Sequence, residues 1–174
     1  MSRQHKRLPH QIDPFRLCEA RASLSGPVPL KQMQRLKPLL ASDSGEINVV
    51  LDFDIDELGV PFVKGELKAE LPLICQRCLE PMPFVVNQQS TLAWVRSEQE
   101  AERLPLRFEP YLVEANPLIL NDVIEDELLL ALPQIPMHTE SECAASKWLK
   151  KQDAIATDET EENPFSVLAN LKQD

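Results

Sequence analysis

Four residues of this sequence carry side chains from which proteins commonly build a metal site. Cys75 and Cys78 are separated by two residues in the stretch Ile-Cys-Gln-Arg-Cys-Leu, and His138 and Cys143 follow much later in the chain. Two thiols at this spacing can converge on one point if the backbone turns between them. Thiolate and imidazole are the ligands of structural zinc. The sequence therefore offers one plausible metal quartet, Cys75, Cys78, His138 and Cys143, and structural zinc is the cofactor that it would hold.

Two other interpretations of the cysteines stay open at this point. The intervals from Cys78 are 59 residues to His138 and 64 residues to Cys143, unlike those of compact zinc fingers. In the first, no metal is bound: Cys75 and Cys78 provide a buried turn and a free thiol, and Cys143 lies in a mobile segment. A redox function for the pair is disfavoured, because no helix N-terminus that would lower a thiol pKa is predicted nearby.

A second group with chemical potential is the acidic run from Glu125 to Glu127. Carboxylates in such a run serve catalysis only with partners, such as a metal-binding histidine or a pocket that raises one pKa. The sequence places no histidine nearby, so an acidic solvent-facing side of an amphipathic helix is the favoured interpretation. Arg77, between the two cysteines, is expected to pair with one of these acids rather than to bind phosphate.

The charge of the chain is distributed unevenly along its length. The formal net charge is -10, but residues 1–40 contain eight Lys/Arg against two Asp/Glu and are basic. An acidic body repels polyphosphate, so any contact with nucleic acid is expected in this basic first quarter. The alternative is that the segment only neutralises the acidic body. The candidate RNA-binding residues are Arg3, Lys6, Arg7, Lys31 and Arg35.

The elements that must position these residues are short, as fifteen prolines against four glycines indicate. Residues 47–55 alternate apolar and polar side chains, which is typical of a strand with one buried face. Similar patterns follow at 67–75, 84–95 and 111–114, whereas 119–132 has the periodicity of the longest helix. Asp13-Pro14 is a helix start, and 29–40 is predicted as a second helix. We therefore predict an α+β fold, an antiparallel β meander or partly closed barrel packed by a few helices.

The predicted organisation is a single domain with appendages. Residues 1–12 form a basic arm, 13–143 the α+β domain, 144–162 a flexible acidic linker, and 163–174 a short C-terminal amphipathic helix. Neither a signal peptide nor a membrane-spanning run is recognisable, so we expect a cytoplasmic protein without structural disulfides. The candidate partner-binding residues on the apolar side of the last helix are Phe165, Leu168 and Leu171.

Three motifs in this order resemble one family. They are Cys-Gln-Arg-Cys-Leu at 75–79, Glu-Asp-Glu-Leu-Leu-Leu-Ala-Leu-Pro at 125–133 with Ile-Pro-Met-His after it, and Asn-Pro-Phe-Ser-Val-Leu-Ala-Asn-Leu-Lys at 163–172. The opening Leu-Pro-His-Gln-Ile-Asp-Pro at 8–14 fits the same pattern. So arranged, they resemble the bacterial YceD family, the large ribosomal RNA subunit accumulation proteins.

The resemblance implies a cytoplasmic ribosome-biogenesis factor without enzymatic activity, needed for large-subunit ribosomal RNA to accumulate. Its implied partner is a ribosomal RNA precursor or a large-subunit assembly protein. Many members of the family carry a cysteine-rich stretch after the long helix, of which this chain keeps only His138 and Cys143. The alternative function is a metal-dependent RNA hydrolase using the acids at 125–127. The absence of a catalytic His or Lys beside those acids favours the non-catalytic factor.

Overall fold

The computed structural model describes residues 7–114, 116–146 and 148. Over these residues the chain forms seven β-strands, three α-helices and two short 3-10 turns. None of the described helices has both the length and the apolar character needed to cross a membrane. In chain order the elements are β1 (Gln11–Ile12), α1 (Pro14–Glu19), β2 (Ser23–Pro29), 3-10 turns at Leu30–Gln32 and Lys37–Leu39, β3 (Glu46–Ile55), β4 (Pro61–Ile74), β5 (Pro81–Val95), α2 (Glu98–Ala101), β6 (Glu109–Leu112), β7 (Leu118–Ile119) and α3 (Leu120–Ala131).

A five-stranded sheet in the order β2-β3-β4-β5-β6 forms the body of the domain. The predicted alternation in β3 is confirmed, since Ile47, Val49, Leu51 and Phe53 are all buried. The α+β class with a mostly antiparallel sheet is confirmed too, and the sheet stays open because its edge strands do not pair. The hairpin of β4 and β5 is the longest element pair, and its turn contains Cys75.

The direction of β6 differs from the predicted meander. Strand β6 pairs with β5 in parallel, with Leu92 opposite Glu109 and Val95 opposite Leu112. The sequence suggested a simple antiparallel fourth strand, which is wrong. About a dozen residues, including α2, connect β5 to β6, and such a crossover carries the chain back to the end where β5 began, so that β6 runs parallel to it.

The N-terminal part of the chain is tied to the fold at two points. Asp13 caps α1 as predicted, since its Oδ1 accepts the Arg16 N–H at 3.2 Å. Just before it, Gln11 and Ile12 pair with Ile119 and Leu118 in a small antiparallel sheet that the sequence did not predict. Part of the predicted basic arm therefore belongs to the folded domain.

Helix α3 covers the inner face of the sheet, and its bounds agree with the predicted helix to within one residue. Leu120, Ile124 and Leu128 are almost completely buried against sheet residues such as Trp94. The interpretation of the acidic run as a solvent-facing side is wrong for Glu125 and Glu127. Glu125 is 3 % exposed and Glu127 is 6 % exposed.

The prediction of a helix over residues 29–40 is wrong, and the buried Glu125 shows how this irregular segment is held instead. Only the two 3-10 turns form there, and Pro38 removes the N–H that a continuing helix would need. Backbone N–H groups in such a segment need other acceptors. Glu125 Oε1 accepts from Arg35 N at 2.6 Å and Leu36 N at 2.9 Å, and its Oε2 accepts from Arg35 Nε at 3.2 Å. Helix α3 therefore holds this irregular segment through one buried carboxylate.

Replacing Glu125 tests this role. Glu125→Ala leaves buried N–H groups of the 3-10 segment without an acceptor, so we expect about 3 kcal/mol of lost unfolding free energy. Asp126→Ala is the matched control, because the Asp126 carboxylate that meets Arg35 Nη1 is 38 % exposed. We expect the control to cost less than about 1 kcal/mol. Urea denaturation of both variants measures the difference, and equal effects would contradict a special role for Glu125.

Candidate metal centre

The turn between β4 and β5 brings two cysteines together. We call residues 75–80 the knuckle. Its backbone is fixed by Leu79 N donating to Cys75 O at 2.9 Å and Cys75 N donating to Glu80 O at 3.0 Å. Leu79 has a φ of 61°, in the left-handed region that reverses the chain. Both cysteines therefore sit on one tight reversal at the end of the long hairpin.

The chain after α3 returns to the knuckle. We call residues 134–146 the return segment. Gln76 N donates to Pro136 O at 2.8 Å, and His138 N donates to the Cys75 sulfur at 3.4 Å. Cys143 follows on a turn in which its N–H donates to Thr139 O at 3.0 Å. These backbone contacts carry His138 and Cys143 to the two cysteines of the knuckle.

Arg77 reinforces the same junction. Its Nη1 donates to Ser146 Oγ at 3.2 Å, and its Nη2 approaches the Met137 sulfur at 3.7 Å. The expectation that Arg77 pairs with an acid of α3 is wrong, because both contacts go to the region of the return segment. The guanidinium therefore ties the knuckle to residues on both sides of His138 and Cys143.

The predicted quartet converges on one point. One ligand atom from each of Cys75, Cys78, His138 and Cys143 lies within 4.8 Å of the other three. The Cys78 sulfur is 3.3 Å from His138 Nδ1. Zn–S bonds of about 2.3 Å place neighbouring sulfurs about 3.8 Å apart in a tetrahedron, so small side-chain shifts suffice to coordinate a metal ion. The donor set and its spacing thus fit a metal ion.

The burial of Cys143 argues against the alternative in which it lies in a mobile segment. Cys143 is 3 % exposed and Cys75 is fully buried, whereas Cys78 and His138 are half-buried. Such a partly enclosed set of soft donors is what a metal ion needs, because protein groups rather than water fill its coordination sphere. Within the described part of the chain, no other group of His, Cys, Asp and Glu side chains has this arrangement.

The surroundings of Cys75 and Cys78 favour the thiolate form of Cys75 and disfavour that of Cys78. Burial would raise the pKa of Cys75, but N–H groups of Cys78, His138 and Arg77 face its sulfur and the pKa falls to about 5. For Cys78, the Glu80 N–H favours the thiolate, but burial and the sulfurs of Cys75 and Cys143 outweigh it and raise the pKa. A cation among these sulfurs would relieve their mutual repulsion.

The remaining cysteine stands apart from this cluster. Cys18 is fully buried, and its thiol donates to Phe62 O at 3.3 Å. Burial raises its pKa to about 11, so it stays a neutral thiol. All four cysteines are free of disulfides. Cys18 therefore contributes to the core and provides a natural control for the other three.

The acids considered for catalysis are engaged in the fold. Glu125 is occupied by Arg35 and Leu36, as described above. Burial raises the pKa of Glu127, whose carboxyl lies under α3 with one oxygen lacking a hydrogen-bond partner among the described residues. Glu125 and Glu127 are therefore closed to a substrate, and the 38 % exposed Asp126 is paired with Arg35, so the three acids do not present a free carboxylate pair.

The structure places the described members of the predicted RNA-binding set in two different environments. Arg35 is committed to Glu125 and Asp126, so its charge is largely neutralised. Arg7 and Lys31 border the same surface groove. The other predicted residues, Arg3 and Lys6 for RNA and Phe165, Leu168 and Leu171 for a partner, lie outside the described residues. Sequence reasoning missed the groove itself, because its walls come from segments far apart in the chain.

Comparison with known proteins places the chain in a family. The family model for "Large ribosomal RNA subunit accumulation protein YceD" matches residues 63–172, which include all four candidate ligands. The protein of the same name from Haemophilus influenzae is 32 % identical over 172 residues, covering 98 % of this chain and 99 % of the relative. No solved structure gives a significant match. The chain therefore belongs to the YceD family.

Proposed function

We propose that this protein is a non-catalytic ribosome-biogenesis factor that supports the accumulation of large-subunit ribosomal RNA in the cytoplasm. The observation that carries the proposal is the similarity of nearly the whole chain to a relative named for that role. Its immediate partner is a ribosomal RNA precursor or a protein of large-subunit assembly. The open sheet with irregular segments held at its rim suits a binding module, whereas the engaged acids of α3 argue against the alternative RNA hydrolase.

Deletion of the gene in its own bacterium tests this function. We expect the ratio of large-subunit to small-subunit ribosomal RNA to fall, and a plasmid copy of the parent chain to restore it. A tagged copy should recover large-subunit precursor RNA or assembly proteins from growing cells, read by RNA sequencing and mass spectrometry. An unchanged ratio together with no enrichment of either class would overturn the proposal. Cleavage of precursor RNA by the purified protein with divalent metal would favour the hydrolase.

We also propose that Cys75, Cys78, His138 and Cys143 hold a structural zinc ion. A site with four protein ligands leaves no open position for a substrate, which is the arrangement of structural rather than catalytic zinc. The ion would cross-link the β4–β5 hairpin to the return segment, two parts of the chain otherwise joined there by few hydrogen bonds. Its contribution would thus be to fix the surface at this end of the sheet.

Elemental analysis tests the zinc proposal. We expect about one zinc per chain in protein prepared without chelator. Cys143→Ser should lower the zinc content, whereas Cys18→Ser, the matched control, should leave it unchanged because Cys18 bonds Phe62 instead. Removing the ion should cost about 3 kcal/mol and lower the melting temperature by about 6–12 °C. Metal-free protein whose melting does not respond to chelator would contradict the proposal.

A further proposal concerns the C-terminal residues that lie outside the described part. We propose that Phe165, Leu168 and Leu171 bind a groove on a partner of the assembly pathway, as the apolar side of a short helix does in many complexes. The spacing of the three residues supports this, as does their place inside the family match, which extends to residue 172.

Truncating the proposed anchor tests this. Phe165→Ala should leave the melting temperature nearly unchanged and abolish partner capture from cells, because the apolar contact with the partner is lost. Asn170→Ala, off the apolar side, is the matched control and should capture the partner normally. A Phe165→Ala protein that melts well below the parent would instead assign the tail to the core of the domain.

A further inference from the structure

A surface groove of about 430 Å³ lies where the N-terminal segment meets the end of β2 and the start of α3. Three side chains able to carry positive charge, Arg7, His10 and Lys31, border it, and all three are exposed. Among the described residues, no aspartate or glutamate lines the groove. Although the chain has a net charge of -10, the cationic side chains grouped here create a local surface that attracts anions.

Three other cations among residues 7–40 are paired with carboxylates. Arg21 pairs with Asp54, Arg35 with Glu125 and Asp126, and Lys37 with Asp43 at 2.8 Å. Within the described residues, Arg7 and Lys31 make no such salt bridge. They therefore differ from the paired cations, although Lys31 lies near enough to Asp43 to help lower the pKa of that carboxyl.

Two hydrogen bonds, one between backbone groups and one between side chains, hold the walls of the groove in place. Leu120 N donates to His10 O at 3.0 Å, which fixes the N-terminal segment against the start of α3. Across the groove, Asn121 Nδ2 donates to Gln32 Oε1 at 3.2 Å. This bond leaves the Gln32 amide hydrogens and the Asn121 carbonyl oxygen able to bond a ligand. The groove thus presents donors and an acceptor beside its cationic rim.

The groove also has an apolar part. Pro27 and Pro29 of β2 and Leu8 of the N-terminal segment line it. Rigid proline rings offer flat apolar surface on which a planar base can pack without loss of side-chain freedom. Its volume falls at the lower end of the range for small-ligand sites and accommodates a group about the size of one nucleotide. Cations, amides and an apolar surface correspond to the phosphate, base edge and base face of a nucleotide.

We propose that this groove binds single-stranded RNA, with Arg7 and Lys31 on successive phosphates and the amides of Gln32 and Asn121 on a base edge. This inference rests on the proposed function, because ribosomal RNA is then the polyanion present in the pathway. Unpaired RNA offers base edges and faces that a duplex hides, and a groove with polar and apolar walls uses them. Arg3 and Lys6 lie close along the chain and add positive charge, so the chain's own N-terminus is not the complementary occupant.

Fluorescence anisotropy with a labelled 12-nucleotide oligouridylate and a mixed-sequence RNA of equal length tests the groove. The doubly substituted R7Q/K31Q protein should bind at least ten-fold more weakly. In a plot of log affinity against log salt concentration, the negative slope should become shallower by about 1.4, which is the contribution of two phosphate contacts. Gln32→Leu should weaken binding of the mixed sequence without changing the slope. The control pair K64Q/R103Q removes the same charge from exposed positions outside the groove and should bind like the parent.

Three outcomes would overturn the proposal. They are normal RNA binding by R7Q/K31Q protein that melts like the parent, equal loss in the control pair, and displacement of RNA by oligoglutamate of matched charge, which would assign the groove to acidic peptides. Complementation of the deletion strain separates this inference from the proposed function. If the parent chain restores the ribosomal RNA ratio while R7Q/K31Q protein binds RNA normally, RNA binding by the groove is refuted and the proposed function stands.

Discussion

The junction between the knuckle and the return segment is the constraint on which this end of the domain depends. In the described chain after α3 there is no strand and only an isolated helical turn, so no ladder of backbone hydrogen bonds holds it. Its attachments are one backbone bond to Gln76, the N–H contact with the Cys75 sulfur, and Arg77. Four side chains whose ligand atoms could hold a metal ion converge at this junction, and the proposed ion would add a cross-link to these few bonds.

The same physical solution appears at the other irregular segment. Residues 30–40 make only two 3-10 turns, and the buried carboxylate of Glu125 accepts their free N–H groups from α3. In both places a side chain anchors backbone that cannot join the sheet. Fixing these segments leaves the rim of the sheet with defined surfaces, including the basic groove beside Lys31.

Local patterns explain what the sequence could predict. The alternation around Val49, the cap at Asp13 and the periodicity of α3 depend on neighbouring residues, and all three were confirmed. The metal-type residues were recognisable because few other side chains bind soft metals. Non-local partners explain the failures. Glu125 and Glu127 look like surface acids until the 3-10 segment and the sheet cover them, and the direction of β6 depends on a crossover. The groove draws its walls from three separate segments, so no single stretch of sequence reveals it.

Zinc X-ray absorption of protein purified without chelator would test whether the four side chains hold zinc, because it reports the ligands of the ion itself. We expect a tetrahedral site with three sulfur ligands at about 2.3 Å and one nitrogen at about 2.0–2.1 Å. These would be the sulfurs of Cys75, Cys78 and Cys143 and a ring nitrogen of His138. A spectrum dominated by oxygen ligands, or protein that carries no zinc, would contradict it.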